Sequence, residues 1–265
     1  MVKIACQTIV YGNPVIKDNI ERILKNVADN NYDGVEIGAR HFYMEKPDYY
    51  IDLLKKNNLE IPAVHVGGDF LNKDSAAEQI AGIGNTIKFA EKLGCKYLYL
   101  SGAYREQKTD DDYLHEARVY EEIGLRCADG GLVLCYHNHD WEFNNNGRGM
   151  ALLLEYVNEE YMKLVPDVGW LTVAGVNPAA FIKDHIERIE ALHFKDFKNY
   201  EMPRVFIELG DGIVDFVAVY RCFADARTDF WITAEQDTAT HTPEESVKAN
   251  QAYIRKLIET SPYTS

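Results

Sequence analysis

Strand-like and helix-like patterns alternate without interruption along this 265-residue chain, and this alternation constrains its fold more than any other feature. Short runs of β-branched and aromatic residues predict strands, and longer segments with apolar residues three and four apart predict helices. The predicted strands are residues 2–8, 34–38, 61–68, 96–102, 132–135, 163–169, 191–196 and 230–237. The helix patterns that follow them are 15–31, 47–58, 74–93, 110–129, 149–158, a segment opening near Pro178, 214–226 and 243–259.

Eight such units predict an α/β fold, a single (β/α)8 TIM barrel over residues 1–265. A helix between two successive strands makes those strands parallel, and eight parallel strands can close into a ring. An open doubly wound sheet is the alternative, but it needs a glycine fingerprint directly after a strand. Gly82 and Gly84 lie inside a helix pattern instead, which favours the barrel.

The chain is acidic, because 28 lysines and arginines against 42 aspartates and glutamates give a net charge of −14. Such a chain repels a phosphate backbone unless it holds a basic stripe, and none is visible, so we expect no nucleic-acid partner. No apolar run approaches the roughly 20 residues that cross a bilayer, and the start MVKIACQT turns polar too soon for a signal peptide. We therefore expect no membrane association. The five scattered cysteines are typical of reduced core residues in a cytoplasmic protein.

The most polar strand ending follows the fifth predicted strand, where residues 134–143 read LCYHNHDWEF. A buried strand that leads into clustered imidazoles and carboxylates indicates a polar site at its C-terminal end. The next three predicted strands end in the same way, at Asp167, His193 and Glu235. In a barrel all these ends lie on one rim, where barrel enzymes have their active sites.

Three carboxylates and one imidazole from these four ends predict one divalent-metal site, formed by Glu142, Asp167, His193 and Glu235. Oxygen and nitrogen donors without a thiolate suit Mn²⁺, with Co²⁺, Mg²⁺ or Zn²⁺ as alternatives. A single Asp or His at a strand end is more often a cap or a structural group. Four of them on successive strands favour the metal site.

The chain resembles the xylose-isomerase-like barrel superfamily, which includes sugar phosphate isomerases and epimerases and inosose dehydratases. The resemblance spans nearly the whole chain and rests on YDGVEIG, YHNHDWEF, PDVGWLTVAGVNP, LHFKD, LGDGIVDF and TAEQD. In that family Glu, Asp, His and Glu from strands five to eight bind the metal, which implies Asp167, His193 and Glu235 as ligands here. The first ligand departs from the pattern, because Tyr136 stands in the register of the family's Glu. We expect Glu142 to turn back to the metal, with His137 or His139 as substitutes.

A metal held there would polarise a substrate ketone and stabilise the enediolate that remains after the α-proton departs. The expected activity is that of a metal-dependent keto-sugar isomerase or epimerase, with Glu142 and Glu235 moving the proton. The alternative is β-elimination, as in inosose dehydratases or 3-oxo-glycoside lyases, with His137 or His139 as the base. We expect only one of these histidines to reach the substrate, and we favour His139 because it lies nearer the rim.

Four further residues are expected to contact the substrate, although each also has a plain structural interpretation. His65 and Glu36 resemble family residues that contact sugars, and Trp170 would stack on a sugar face. Lys195 shares the strand face of His193 and would hold an oxyanion or neutralise the carboxylates. The expected partner is a small sugar or an inositol-derived molecule, and the family implies a possible homo-oligomer.

Two other functions within the superfamily are less compatible with the sequence. An endonuclease for abasic DNA would need a basic groove and additional metal-binding histidines, which this sequence lacks. A non-catalytic sugar-binding subunit would not need so many buried charges, because each costs free energy to remove from water.

Overall fold

The computed structural model describes residues 1–72 and 74–261. Within these residues the strands in chain order are β1 Val2–Gln7, β2 Gly34–Gly38, β3 Ala63–Gly68, β4 Tyr97–Gly102, β5 Val133–Tyr136, β6 Lys163–Leu164, β7 Ala191–Phe194, β8 Asp196–Phe197, β9 Phe206–Ile207 and β10 Phe230–Ala234. The helices are α1 Asn13–Ile16, α2 Ile20–Asp29, α3 Pro47–Asn57, α4 Ala76–Leu93, α5 Asp110–Asp129, α6 Asn144–Tyr156, α7 Val168–Val173, α8 Pro178–Asp184, α9 Phe216–Ala224 and α10 Pro243–Thr260.

Eight of the described strands form one parallel sheet in the order β6-β5-β4-β3-β2-β1-β10-β7. The two ends of this sheet meet through isolated parallel bridges, Leu164 with Ile189 and Asp167 with His193. The predicted (β/α)8 barrel is therefore confirmed. Because all eight strands run in the same direction, their C-terminal ends share one rim.

The barrel has two apolar layers. The large one lies between the strands and the helices, as expected for helices that each bury one face. A smaller cluster fills the interior of the ring below the C-terminal rim and consists of Ala63, Tyr97, Tyr99, Cys135, Val165 and Ala191. This interior cluster lies beneath the polar strand ends, which face the C-terminal rim.

Two local differences from the predicted elements bear on the site. The sixth strand, expected to run to residue 169, ends at Leu164 because the Asp167 side chain caps α7 by accepting a hydrogen bond from the Trp170 amide at 2.9 Å. The chain after the seventh strand forms an unpredicted antiparallel hairpin, β8 with β9. Both differences arise just beyond strand ends, where the backbone turns to build the rim.

None of the described helices is both long enough and apolar enough to cross a bilayer.

Candidate active site and metal centre

Four barrel strands bring two imidazoles and two carboxylates together at the rim: His137, Asp167, His193 and Glu235. One ligand atom from each lies within 4.8 Å of the others, and all four residues are buried. The Glu235 carboxylate is central, since its Oε2 lies 2.6 Å from His193 Nδ1 and 3.2 Å from His137 Nε2. This set, named here the rim cluster, has the donor types and spacing that a divalent ion needs.

Glu142 lies outside the rim cluster, which corrects the expectation that it turns back to the metal. Its carboxylate accepts hydrogen bonds from the Tyr136 hydroxyl at 2.9 Å and from the His139 amide at 2.7 Å. Both oxygens are therefore used to hold the backbone that follows β5. Burial raises the pKa of Glu142 to about 7, even though these two hydrogen bonds lower it.

The register of β5 explains why His137 takes the place expected for Glu142. Successive side chains of a strand point to opposite faces. Cys135 faces the barrel interior, and Tyr136 points outward, where its ring packs against Tyr120 with centroids 5.4 Å apart. His137 therefore returns to the inside and joins the rim cluster. We expected Tyr136 at the inward-facing position of the family's glutamate. In the structure the next residue, His137, occupies that position instead.

Glu36, expected to contact substrate, is instead a fully buried partner of two histidines. Its Oε2 lies 2.7 Å from His193 Nε2, and its Oε1 lies 2.9 Å from His65 Nδ1. Because Glu36 engages Nε2 of His193, the Nδ1 atom faces the rim cluster. A carboxylate on the far nitrogen of a ligating histidine fixes the ring's orientation and raises its basicity.

His65 continues from Glu36 into a second chain of contacts that returns to the rim cluster. Its Nε2 lies 2.8 Å from the Ser101 hydroxyl, which in turn lies 3.3 Å from His137 Nδ1. Each of the two cluster histidines thus has one nitrogen held by a polar partner and the other nitrogen at Glu235. His65 also lines the pocket above the cluster, so contact with a substrate stays a prediction.

Charge pairing sets the protonation of the buried groups. Burial alone would lower the pKa of His193, but the facing carboxylates Glu36 and Glu235 outweigh it and raise the pKa to about 10. Burial would likewise raise the pKa of Glu36, yet the positive charge of His193 and hydrogen bonds from both histidines lower it to about 2. A metal ligand must be a neutral imidazole, so metal binding here has to release a proton and strengthens as the pH rises.

Lys195 is buried among three carboxylates. Its Nζ lies 3.3 Å from Asp167 Oδ2, 3.1 Å from Glu235 Oε1 and 3.2 Å from Asp237 Oδ2. Burial would lower the pKa of Lys195, but these carboxylates raise it above its ordinary value, so the ammonium is charged. Of the two roles predicted for Lys195, the geometry favours neutralising the carboxylates.

An open pocket of about 370 Å³ lies above the rim cluster. Both His137 and His139 line it, because residues two apart share a strand face; the expectation that only one would reach the substrate space is wrong. The His139 ring stacks on Trp141 with centroids 4.0 Å apart, and its Nδ1 has no hydrogen-bond partner among the described residues. Burial, together with the positive charges of His137 and Lys195, lowers the pKa of His139, which keeps the ring neutral.

Trp170 does not line this pocket. Its ring packs against Phe197 and Phe206 of the β8–β9 hairpin and lies 5.4 Å from the His139 ring, centroid to centroid. It therefore supports the wall that carries His139. Direct stacking on a substrate has no support in this arrangement.

Comparison with known proteins agrees with this architecture. The family model of the xylose isomerase-like TIM barrel matches residues 24–257. The chain belongs to this family. Among curated relatives, the inosose dehydratase of Geobacillus kaustophilus (strain HTA426) is 21% identical over 90% of this chain and 87% of its own. That of Clostridium botulinum (strain Alaska E43 / Type E3) is 26% identical over 91% and 90%.

Solved structures of low sequence identity share the fold of this xylose isomerase-like barrel. A sugar phosphate isomerase/epimerase from Parabacteroides distasonis ATCC 8503 superposes with a TM-score of 0.79 at 18% identity, covering 96% of this chain and 93% of that one. The IOLI protein, solved with a bound zinc atom, superposes with a TM-score of 0.81 at 15% identity, covering 98% and 99%. These identities support the fold alone.

The pocket residues of this xylose isomerase-like barrel that were not predicted from the sequence include Arg40, Ser101 and Asp237. Ser101 and Asp237 lie at strand ends, in the sequences SG and EQD. The pattern of polar residues at strand ends could therefore have identified both as site residues. Arg40 lies in a short turn after β2 and is solvent-exposed, so no local pattern identifies it as a pocket residue. Arg40 could be assigned to the pocket only after the structure showed that β2 and β3 are adjacent.

Proposed function

We propose that this chain is a divalent-metal-dependent lyase for a small oxo-sugar or oxo-cyclitol. It removes the proton α to the ketone and expels water or an alcohol from the β carbon. The observation that carries this proposal is the imidazole from β5: His137 stands in the rim cluster, and Glu142 is engaged elsewhere. The carboxylates that line the pocket, Glu235 and Asp237, both follow β10, so they do not come from facing strands as a two-carboxylate epimerase would need.

The relatives support elimination over isomerisation. The two curated relatives compared above are inosose dehydratases that align over about nine-tenths of this chain. Dehydration of an inosose and loss of an alcohol from an oxo-glycoside are the same reaction, α-proton removal followed by departure of a β-oxygen. Isomerisation or epimerisation shares the first step and differs in where the proton returns, so one experiment separates the two.

The residues present fit a divalent metal. Asp167 Oδ2 is buried and lies 3.3 Å from Lys195 Nζ and 3.5 Å from His137 Nε2, but no contact among the described residues has hydrogen-bond geometry, so the atom is available to a metal ion. Two nitrogens and two carboxylates are compatible with Mn²⁺, our first choice, and with Co²⁺, Zn²⁺ or, less well, Mg²⁺. Such an ion supplies a Lewis acid for the substrate's ketone oxygen.

We assign the removal of the α-proton to His139. Its ring lines the pocket and is fixed by the stack on Trp141, and its neutral state allows it to accept a proton. Lys195 neutralises the carboxylates of the rim cluster. A histidine that takes the α-proton can return it to the departing oxygen, which is what an elimination requires.

The test is a reaction in D₂O. Protein stripped with a chelator and reloaded with Mn²⁺ is incubated with inososes and with 3-oxo-glucosides, and the products are followed by NMR and mass spectrometry. We expect an α,β-unsaturated ketone together with water or free alcohol. His139→Asn should slow the elimination at least about 100-fold, because a general base usually contributes that much to the rate. His241→Asn, at an exposed position outside the pocket lining, should not change the rate.

Two outcomes overturn the proposal. A recovered ketose that carries deuterium at the α carbon, with no unsaturated product, would make the chain an isomerase or epimerase. No reaction with any member of the panel, in protein that binds Mn²⁺ stoichiometrically, would remove the enzymatic assignment.

A further inference from the structure

A second cavity, of about 530 Å³, opens beside the catalytic pocket between the turn after β2 and helix α4. The two cavities share four lining residues, Arg40, His65, Val66 and Gly67, and are therefore continuous. Away from this junction four of the seven described residues that line the second cavity are small or apolar, and the other three are the polar residues Gln79, Asn85 and Thr86. We name it the side groove and define it by Ala39, Met44, Val66, Gly82 and Ile83.

The side groove differs in chemistry from the pocket it joins. Histidines and carboxylates line the pocket and suit the hydroxyls and ketone of a sugar ring. Apolar walls such as Met44 and Ile83 gain nothing from hydroxyl groups, but they take an apolar group out of water favourably. A substrate that fills both spaces has one polar and one apolar part.

We propose that the substrate is an oxo-glycoside whose leaving group is an apolar alcohol, with the sugar ring over the rim cluster and the alcohol in the side groove. This rests on the lyase function proposed above and specifies its substrate class. The base takes the proton from the carbon next to the ketone, and that electron pair forms a carbon–carbon double bond. The bond from the β carbon to the alcohol oxygen breaks, and the oxygen keeps the pair and takes up a proton. The products are an unsaturated ketone and the alcohol, with no oxidant or reductant.

Arg40 stands where the leaving oxygen would lie. It lines both cavities, and its guanidinium is held by Asn13, whose Oδ1 accepts hydrogen bonds from Nη2 at 2.7 Å and from Nε at 3.1 Å. A cation oriented by Asn13 at this junction, although solvent-exposed, would stabilise the negative charge that develops on the departing oxygen. The catalytic pocket and the side groove thus meet at a group suited to the bond that breaks.

Gly82 keeps the side groove open. It lies inside α4, where glycine is the least favourable residue after proline, and it is exposed. A Cβ built at this position meets no atom within 4 Å. A larger side chain can therefore be accommodated by the fold, and it would extend into the side groove.

This gives a matched pair of variants, Gly82→Phe and Gly84→Phe. Both replace a glycine of α4, but Gly84 does not line the side groove, and a Cβ there meets its nearest neighbour, Arg126 Nη1, at an ordinary 3.7 Å. The substrates are methyl and cyclohexylmethyl 3-oxo-glucoside, whose alcohols are leaving groups of similar acidity, so that a difference reports the apolar group. With Mn²⁺-loaded wild type we expect kcat/KM for the cyclohexylmethyl compound to exceed that for the methyl compound at least tenfold. Gly82→Phe should lower kcat/KM for the cyclohexylmethyl compound at least tenfold and so abolish this preference, and Gly84→Phe should keep both rates.

The outcomes separate this inference from the function on which it rests. If wild type and Gly82→Phe show the same ratio of kcat/KM for the two compounds, the side groove is not the alcohol site. Dehydration of an inosose without cleavage of either glycoside overturns the inference and leaves the lyase function standing. Failure of every elimination overturns both.

Discussion

At the scale of single residues, the partners of each buried carboxylate decide what it can do. Glu36 is engaged by His193 and His65, Glu235 by both cluster histidines and Lys195, and Glu142 by a hydroxyl and a backbone amide. Positive partners keep the first two ionised, since the pKa of each lies below its ordinary value. Glu142 has no cationic hydrogen-bond partner among the described residues, and burial raises its pKa to about 7.

This contrast predicts a pH dependence of stability that belongs to Glu142. Its carboxyl ionises near pH 4.5 in the unfolded chain and about 7 in the folded one, so the folded state binds more protons between these values. The free energy of unfolding therefore falls as the pH rises through this window. From pH 5 to pH 8 the loss is roughly 2 to 3 kcal/mol, and Glu142→Gln should remove it. Urea unfolding of both proteins at the two pH values measures the difference.

The control for that measurement is Glu259→Gln, which removes a carboxylate from an exposed position of α10. Its pH profile should parallel that of the wild type. Parallel profiles for Glu142→Gln as well would contradict the account of Glu142 as a buried group without a cationic partner.

Sequence reasoning named three members of the rim cluster and ranked the fourth, His137, behind Glu142 for a physical reason. Asp167, His193 and Glu235 each follow an apolar run that sets their register clearly. The ending of β5 offers His137, His139 and Glu142 within six residues, and one step of register exchanges inside for outside. The packing of Tyr136 on Tyr120 fixes that step. This contact joins a strand to the preceding helix and leaves no trace in the local pattern.

At the scale of elements, one carboxylate organises the unpredicted rim segment after β7. Asp196 Oδ1 accepts hydrogen bonds from the amides of Phe197 and Val214, and Oδ2 accepts from those of Gly210 and Gly212. A Cβ at position 212 would lie 2.3 Å from Asp196 Oδ1, so glycine is required there. The LGDGIVDF stretch is therefore a loop wrapped around a buried carboxylate, and its amides are not free for a phosphate.

Asp196→Ala should destabilise the protein by about 3 kcal/mol or more, because hydrogen bonds to a charged group contribute about 1.5–3 kcal/mol each and buried amides would be left unpaired. The matched control is Asp211→Ala, an exposed aspartate in the same loop, which should change the free energy of unfolding by less than about 0.5 kcal/mol. Urea unfolding at one pH compares them. Similar small losses in both variants would contradict the role given to Asp196.

The regular elements were predictable and this loop was not. Apolar runs located most of the barrel strands, and β6 was located by the longer segment 163–169 in which it lies. The hairpin strands β8 and β9 contain two residues each, which is too short for a period to show. The hairpin is held in place by Asp196 and by contacts among the rings of Trp170, Phe197 and Phe206. These contacts join residues that are distant in the chain.

At the scale of the whole molecule, the ring of parallel strands is what turns separated residues into one site. Residues 137 and 235 are 98 positions apart in the chain, yet His137 Nε2 lies 3.2 Å from Glu235 Oε2. The eight strand–helix units predicted that the sheet closes into a barrel. This closure determines which strand ends are neighbours at the rim. The side groove depends on the spacing between the turn after β2 and α4, which no sequence period encodes.

The account is tested most directly by the number of histidine nitrogens on the bound metal. Protein with ¹⁵N-labelled histidine is loaded with Mn²⁺ and examined by electron spin echo envelope modulation. Two coupled histidine nitrogens are expected in the wild type and in Glu142→Gln, and one in His137→Gln. A single histidine nitrogen in the wild type, with Mn²⁺ lost from Glu142→Gln, would contradict the rim cluster as the metal centre.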